Sequence, residues 1–73
     1  MKTSEEDKYY NLLGNLKHIN KESVVLDLGA NIGDVTNYLY EKFMPSIYSY
    51  EPNIVCYNHM IKRFENFSKI KIH

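Results

Sequence analysis

The spacing of apolar positions changes several times along the chain, and each change marks an element. Tyr9, Leu12, Leu13 and Leu16 recur at the three-and-four interval of an amphipathic helix, and Ser4 followed by Glu5, Glu6 and Asp7 is a capping-box-like start. A first helix is therefore expected from about Ser4 to Lys17. Asn20-Lys21-Glu22 is a polar turn, after which Ser23-Val24-Val25-Leu26-Asp27-Leu28 runs apolar without alternation until Asp27. That is the pattern of a parallel strand covered on both faces, and it marks this segment as the central strand. Gly29-Ala30-Asn31-Ile32-Gly33 supplies a flexible loop, and Ile32, Val35, Leu39 and Phe43 then continue at helical spacing until Met44-Pro45, where proline stops the helix.

Ser46 to Glu51 is short, rich in Ile and Tyr, and closed by Pro52, which forces the residue before it to be extended. Asn53 is placed to cap a third helix whose buried stripe is expected at Ile54, Tyr57, Ile61 and Phe64. Lys69-Ile70-Lys71-Ile72-His73 alternates polar and apolar in the manner of an edge strand. The order helix, strand, helix, strand, helix, strand implies parallel strands joined by right-handed crossover helices, the start of a doubly wound α/β fold. Two parts follow from this division, an N-terminal helix and turn over residues 1–22 and a partial Rossmann-like half-domain over residues 23–73.

With 73 residues, 44% of them hydrophobic, the chain holds at most one compact unit with a small core. Lysine and arginine balance aspartate and glutamate at nine each, which argues against a disordered tail or a polyanion-binding arm. The basic stretch with Lys62, Arg63, Lys69 and Lys71 is interrupted by Glu65 and has no aromatic platform alternating with it, so it reads as solvated surface and nucleic acid is not expected as a partner. One cysteine, Cys56, cannot close an intramolecular disulfide, and the start Met1-Lys2-Thr3-Ser4-Glu5-Glu6-Asp7 has no apolar core of the kind a signal peptide needs. No apolar run approaches the ~20 residues that cross a bilayer. A cytoplasmic location without membrane association is the expectation.

In an open parallel sheet, ligands bind beyond the carboxyl ends of the strands, so the residues that close each strand carry the chemistry. In Asp27-Leu28-Gly29-Ala30-Asn31-Ile32-Gly33 the glycines stand where the backbone must turn sharply and pass close to a ligand. Asn31 lies between them, and asparagine tolerates a left-handed conformation. Glu51 follows Gly33 by eighteen residues, near the ~20-residue offset at which an acid ending the second strand accepts hydrogen bonds from a ribose. Taken singly, Gly29 and Gly33 are also explained by a tight turn and helix packing, and Glu51 by a solvated strand end. Together, in a strand-loop-helix-strand context, they point to a nucleoside site.

Asp27 narrows the ligand. A dinucleotide or nucleoside triphosphate sets phosphate against such a loop and the helix behind it, and a fixed carboxylate nearby repels that charge. S-adenosylmethionine carries a cation and no phosphate, so an acid there favours it, by direct contact or by fixing the loop amides. The spacing also departs from the nicotinamide fingerprint, with Asn31 in place of the second glycine and Gly33 two residues later, and no lysine serves a phosphate-binding loop.

The segment Val24-Val25-Leu26-Asp27-Leu28-Gly29-Ala30-Asn31-Ile32-Gly33-Asp34, followed by Tyr48-Ser49-Tyr50-Glu51-Pro52-Asn53, resembles the S-adenosylmethionine-dependent methyltransferases of the FkbM family. The likeness runs from Val24 to His73, and the Gly-Ala-Asn-Ile-Gly loop and the Glu-Pro-Asn sequence carry it. It implies a Rossmann-like methyltransferase fold truncated to about three parallel strands, with Asp27, Gly29, Asn31 and Gly33 lining the methionine part of the cofactor and Glu51 holding its ribose. It further implies methyl transfer to an oxygen of a small molecule or sugar. The family's sheet continues past its third strand, so the chain is expected to be an N-terminal fragment without the adenine loop, the acceptor pocket or an assignable catalytic residue, and to be inactive alone. In the family's strand order, stopping there leaves Val24 to Leu28 as an unpaired edge, open to self-association or another chain.

The remaining chemistry-bearing residues have simpler explanations. His18, His59 and His73 lack ligand-like spacing, and Cys56 with His59 offers two metal ligands where a site needs three. No metal is expected, and Cys56 reads as a small residue in or near the core. Tyr38, Tyr40, Tyr48 and Tyr50 read as packing residues, and Asp34 as a helix cap. Two other functions remain open, a nicotinamide-type nucleotide-binding half of an oxidoreductase and a non-enzymatic interaction module.

Overall fold

The computed structural model describes residues 5–73, and side chains from Tyr10 onward. Helix α1 spans Glu5–Gly14, strand β1 Val24–Leu28, helix α2 Asp34–Phe43, strand β2 Ser46–Tyr50, helix α3 Ile54–Arg63 and strand β3 Ile70–Ile72. The strands form one parallel sheet in the order β1-β2-β3, with Val25 beside Ile47 and Ile47 beside Ile70. The element order and the α/β class are as the apolar spacing implies. The first helix is shorter than expected, ending at Gly14, after which Asn15 and Leu16 turn back on the carbonyls of Leu12 and Leu13. The capping-box expectation at Ser4 lies outside the described residues.

The helices cover one face of the sheet. Ile47, Ile70, Leu39, Met60, Phe64 and Ala30 form the buried core. Helix α1 joins through tyrosine: the Tyr10 and Tyr38 rings lie 4.9 Å apart, and the Tyr38 hydroxyl donates to the Tyr10 carbonyl at 3.1 Å. Tyr40 packs edge-on against Phe67. At the amino ends of the strands, the Lys69 ammonium donates to the carbonyls of Lys21 and Met44. A cation is favoured there, because Met44 caps the carboxyl end of α2 and the dipole of that helix points its negative end at it.

The other face of the sheet is bare. Side chains alternate along a strand, so Val24, Leu26 and Leu28 turn away from the helices and are 65%, 64% and 74% exposed. Tyr48 and Tyr50 continue this face across β2 and stack on His73. The expectation of a β1 covered on both faces is therefore corrected: α2 and α3 lie on a single side, and nothing among the described residues covers the other. Among the described strands β2 is the middle one and β1 lies at the edge. The expectation that three strands leave Val24–Leu28 as an open edge agrees with the strand order.

The buried stripe of α3 is also corrected. Ile54 and Ile61 are exposed, while Met60 and Phe64 are buried and Tyr57 half-buried. The reason is non-local. A Cβ built on Gly33 would meet Phe64 Cε2 at 2.5 Å and Met60 Cε at 3.1 Å, so these two side chains fill a notch that only glycine opens, and docking there sets the rotation of the helix. In α2, Val35, Leu39 and Phe43 turn inward as expected, whereas Ile32 belongs to the loop and is exposed.

Candidate functional site

Both strand-to-helix loops at the carboxyl ends of β1 and β2 are built by backbone constraints that the sequence announces. Gly29 has φ +71°, Asn31 φ +54° and Gly33 φ +94°, all in the left-handed region. A loop with three such residues in five reverses sharply without needing side chains to do so. Gly29 and Ala30 donate their amides to the Tyr50 carbonyl at 2.8 and 3.1 Å, and the Gly33 amide returns to the Ala30 carbonyl at 3.0 Å. The loop is thus pinned to the end of β2 before any ligand arrives.

Glu51 is the centre of this arrangement. It is 8% exposed, and its carboxylate accepts from the Asn31 amide at 2.7 Å through Oε1 and from the Asn53 amide at 2.8 Å through Oε2. One side chain therefore joins the loop after β1 to the loop after β2, two segments that touch only because the strands lie side by side. Each carboxylate oxygen has a second lone pair, so both can accept one hydroxyl more. Asn53 then starts α3, accepting from the amides of Val55 and Cys56 at 3.0 and 3.1 Å, the cap the sequence implies.

Asp27 takes a different position. It is half-buried on the helix-covered face, and its Oδ2 accepts from the Thr36 hydroxyl at 2.6 Å. Sequence reasoning does not find Thr36 as a partner, nor Ser49, whose hydroxyl lies 2.8 Å from that of Thr36. The available signal was positional: Thr36 stands one turn into α2 beside the apolar Val35, and Ser49 falls two residues after Ile47, on the inward side of β2.

The two glycines divide their work. Gly33 is buried and packed by Phe64 and Met60, whereas no atom lies within 4 Å of a Cβ placed on Gly29. Gly29 therefore leaves an open place beside the loop, and Gly33 lets α3 close on it. Asp34 opens α2 as its first helical residue, as expected, but the cap position itself is taken by Gly33, which makes no side-chain hydrogen bond. The Asp34 carboxylate pairs with Arg63 at 2.9 Å, and the same guanidinium nitrogen donates to the Ile32 carbonyl at 3.0 Å, so the end of α3 holds the loop from outside.

The ends of β1 and β2 and their loops accordingly combine free space beside a glycine, a carboxylate at Asp27 with one oxygen unengaged among the described residues, and a second carboxylate at Glu51 with spare acceptor capacity. Such a site favours a ligand with a cationic group and hydroxyls over one bearing phosphates. Among the described residues no group of three His, Cys, Asp or Glu side chains is arranged to hold a metal ion. Cys56 is a half-buried free thiol, and no described helix is long and apolar enough to cross a membrane.

No protein-family model matches the chain, and no curated protein matches it in sequence. Solved structures match it in fold. The 23S rRNA methyltransferase ErmE superposes over 90% of this chain and 27% of its own with a TM-score of 0.71 at 17% identity. P. horikoshii TYW2, solved in complex with MeSAdo, aligns over 100% of this chain and 28% of its own with a TM-score of 0.76 at 12% identity. The MccD protein aligns over 96% and 32% with a TM-score of 0.74 at 19% identity. The chain spans about a third or less of the length of each, and over that span it has the α/β, Rossmann-like fold of these structures.

Proposed function

We propose that this chain is the cofactor-binding part of an S-adenosylmethionine-dependent methyltransferase of FkbM type. The observation that carries the reading is the Glu51 carboxylate bridging the Asn31 and Asn53 amides, with the open side of Gly29 on the same loop and the half-buried Asp27 near the end of β1 that leads into it. When bound, the cofactor supplies an electrophilic methyl group on a sulfonium. In this reading Glu51 accepts from the ribose hydroxyls, Asp27 accepts from the amino group of the methionine part, and Gly29, Asn31 and Gly33 shape the backbone that the methionine part lies along. The acceptor is a small molecule or sugar, methylated on oxygen, and its binding residues and the catalytic groups belong to the larger enzyme.

Support from the fold neighbours is indirect: two carry a methyltransferase name or a bound nucleoside of this type, at identities below a fifth. Charge gives an independent reason. NAD would set a pyrophosphate against a loop flanked by Asp27, Asp34 and Glu51, at a Coulombic cost that a sulfonium and an ammonium avoid. Calorimetric titration of the soluble chain with S-adenosylmethionine and with NAD tests this. The expected result is measurable binding of the first and at least about tenfold weaker binding of the second, a gap of ~1.4 kcal/mol; tighter binding of NAD overturns the reading.

One observation favours a second reading. The open edge of β1 and the bare apolar face beside it are what an interaction module would offer to another strand, including β1 of a second copy. A chain that binds neither cofactor and sediments as a defined oligomer would support that reading instead.

A further inference from the structure

The covered side of the sheet is apolar except at one place, where Thr36 of α2 and Ser49 of β2 are fully buried. A buried hydroxyl without a partner is costly, so its hydrogen bonds are fixed by what surrounds it. Thr36 has one hydroxyl proton and stands 2.6 Å from Asp27 Oδ2 and 2.8 Å from Ser49 Oγ. The Thr36 hydroxyl donates to Asp27 Oδ2, which uses its one proton, so Ser49 must donate to the Thr36 oxygen. The chain of donors has one direction, from Ser49 to Thr36 to Asp27, and it ties β2, α2 and β1 together. Asp27 Oδ1 takes no hydrogen bond from any described residue.

We propose that Thr36 is a positioning residue for the cofactor's amino group: it fixes Asp27 Oδ2 to α2, so that Oδ1 is held as the acceptor for the ammonium of S-adenosylmethionine. Ser49 orients the Thr36 hydroxyl in turn. The assignment rests on the cofactor reading above. Its physical basis is preorganisation: a carboxylate already held by one oxygen loses less rotational freedom when the other receives a ligand, so less of the binding free energy goes into ordering it. A short donor to a carboxylate is also the stronger kind of hydrogen bond, which makes the hold stiff.

The test compares S-adenosylmethionine with 5′-methylthioadenosine, a nucleoside that lacks the amino-acid part, by calorimetry on the full chain and on Thr36→Val and Thr36→Ser. Thr36→Val, which keeps the shape and removes the donor, is expected to weaken S-adenosylmethionine about tenfold while methylthioadenosine stays within about twofold. Thr36→Ser, which restores the hydroxyl, is expected to recover most of the loss. A Thr36→Val variant that binds both ligands equally more weakly, or S-adenosylmethionine as well as wild type, overturns the assignment.

A second measurement separates this failure from failure of the cofactor reading. In the ligand-free chain the hydroxyl protons of Thr36 and Ser49 should exchange slowly enough to give NMR signals, and Thr36→Ser should retain both. Absence of these signals in wild type overturns the hydroxyl chain whatever binds. Their presence, in a protein that binds S-adenosylmethionine no better than methylthioadenosine, upholds the hydroxyl chain and removes Asp27 from the cofactor site.

Discussion

Replacement of Gly33 by alanine is expected to cost the chain much of its stability. Two independent effects act at this position. The residue sits at φ +94°, where an L side chain is strained by about 1–2 kcal/mol. The added Cβ would also stand 2.5 Å from Phe64 Cε2 and 3.1 Å from Met60 Cε, both fully or nearly fully buried, and overpacking of a tight core typically costs ~1–3 kcal/mol. The sum, about 2–5 kcal/mol, is a large fraction of what a domain of this size holds at ~0.05–0.15 kcal/mol per residue. Gly29→Ala is the control, because it shares the positive φ and has no atom within 4 Å of its Cβ. Urea unfolding of the two variants should show the larger loss at Gly33. Equal losses would mean that α3 does not depend on the notch.

Replacement of Glu51 by alanine is expected to have two separable consequences. Without ligand, the Asn31 and Asn53 amides lose a charged acceptor, and each such bond contributes something like ~1.5–3 kcal/mol. With ligand, the affinity for S-adenosylmethionine is expected to fall by a similar ~1.5–3 kcal/mol, more than tenfold, because the ribose loses its acceptor and the loop its brace. Glu51→Gln keeps one acceptor oxygen and turns an amino group toward the other amide, so it should fall between the two in stability. Urea unfolding reads the first consequence and calorimetry the second. A variant that is destabilised yet binds S-adenosylmethionine with unchanged affinity would make Glu51 a brace only and take it out of the cofactor site.

Much of the architecture was readable from local rules. Gly29, Asn31 and Gly33 have the backbone conformations their residue types suggest, Asn53 caps α3, and Met44-Pro45 ends α2. These succeed because each is decided by a residue and its immediate neighbours. The failures share the opposite property. Which side of α3 is buried depends on the notch at Gly33, more than twenty residues earlier, and apolarity alone favoured Ile54 and Ile61 over Met60. That β1 has a bare face depends on where the helices settle, which its run of apolar residues does not encode.

The site divides in the same way. Asp27 and Glu51 are legible as candidates because carboxylates at strand ends are chemically conspicuous, and because Glu51 follows Gly33 by eighteen residues, near the ~20-residue offset of a ribose-binding acid. Thr36, Ser49 and Arg63 are not, because their partners lie on other elements. A small polar residue at an inward position is weak as a signal by itself. It becomes informative once the register places Ser49 beside Asp27 on neighbouring strands.

The pinning of the glycine loop to β2 also governs how the loop opens. Surface loops usually exchange their amide hydrogens through small local fluctuations, independent of the rest of the molecule. Here the amides of Gly29, Ala30 and Asn31 end on Tyr50 and Glu51, so they are released only when β1 parts from β2. Their deuterium uptake should therefore rise and fall with that of the β1–β2 ladder as denaturant is added, and a ligand seated on the loop would slow exchange along the length of both strands.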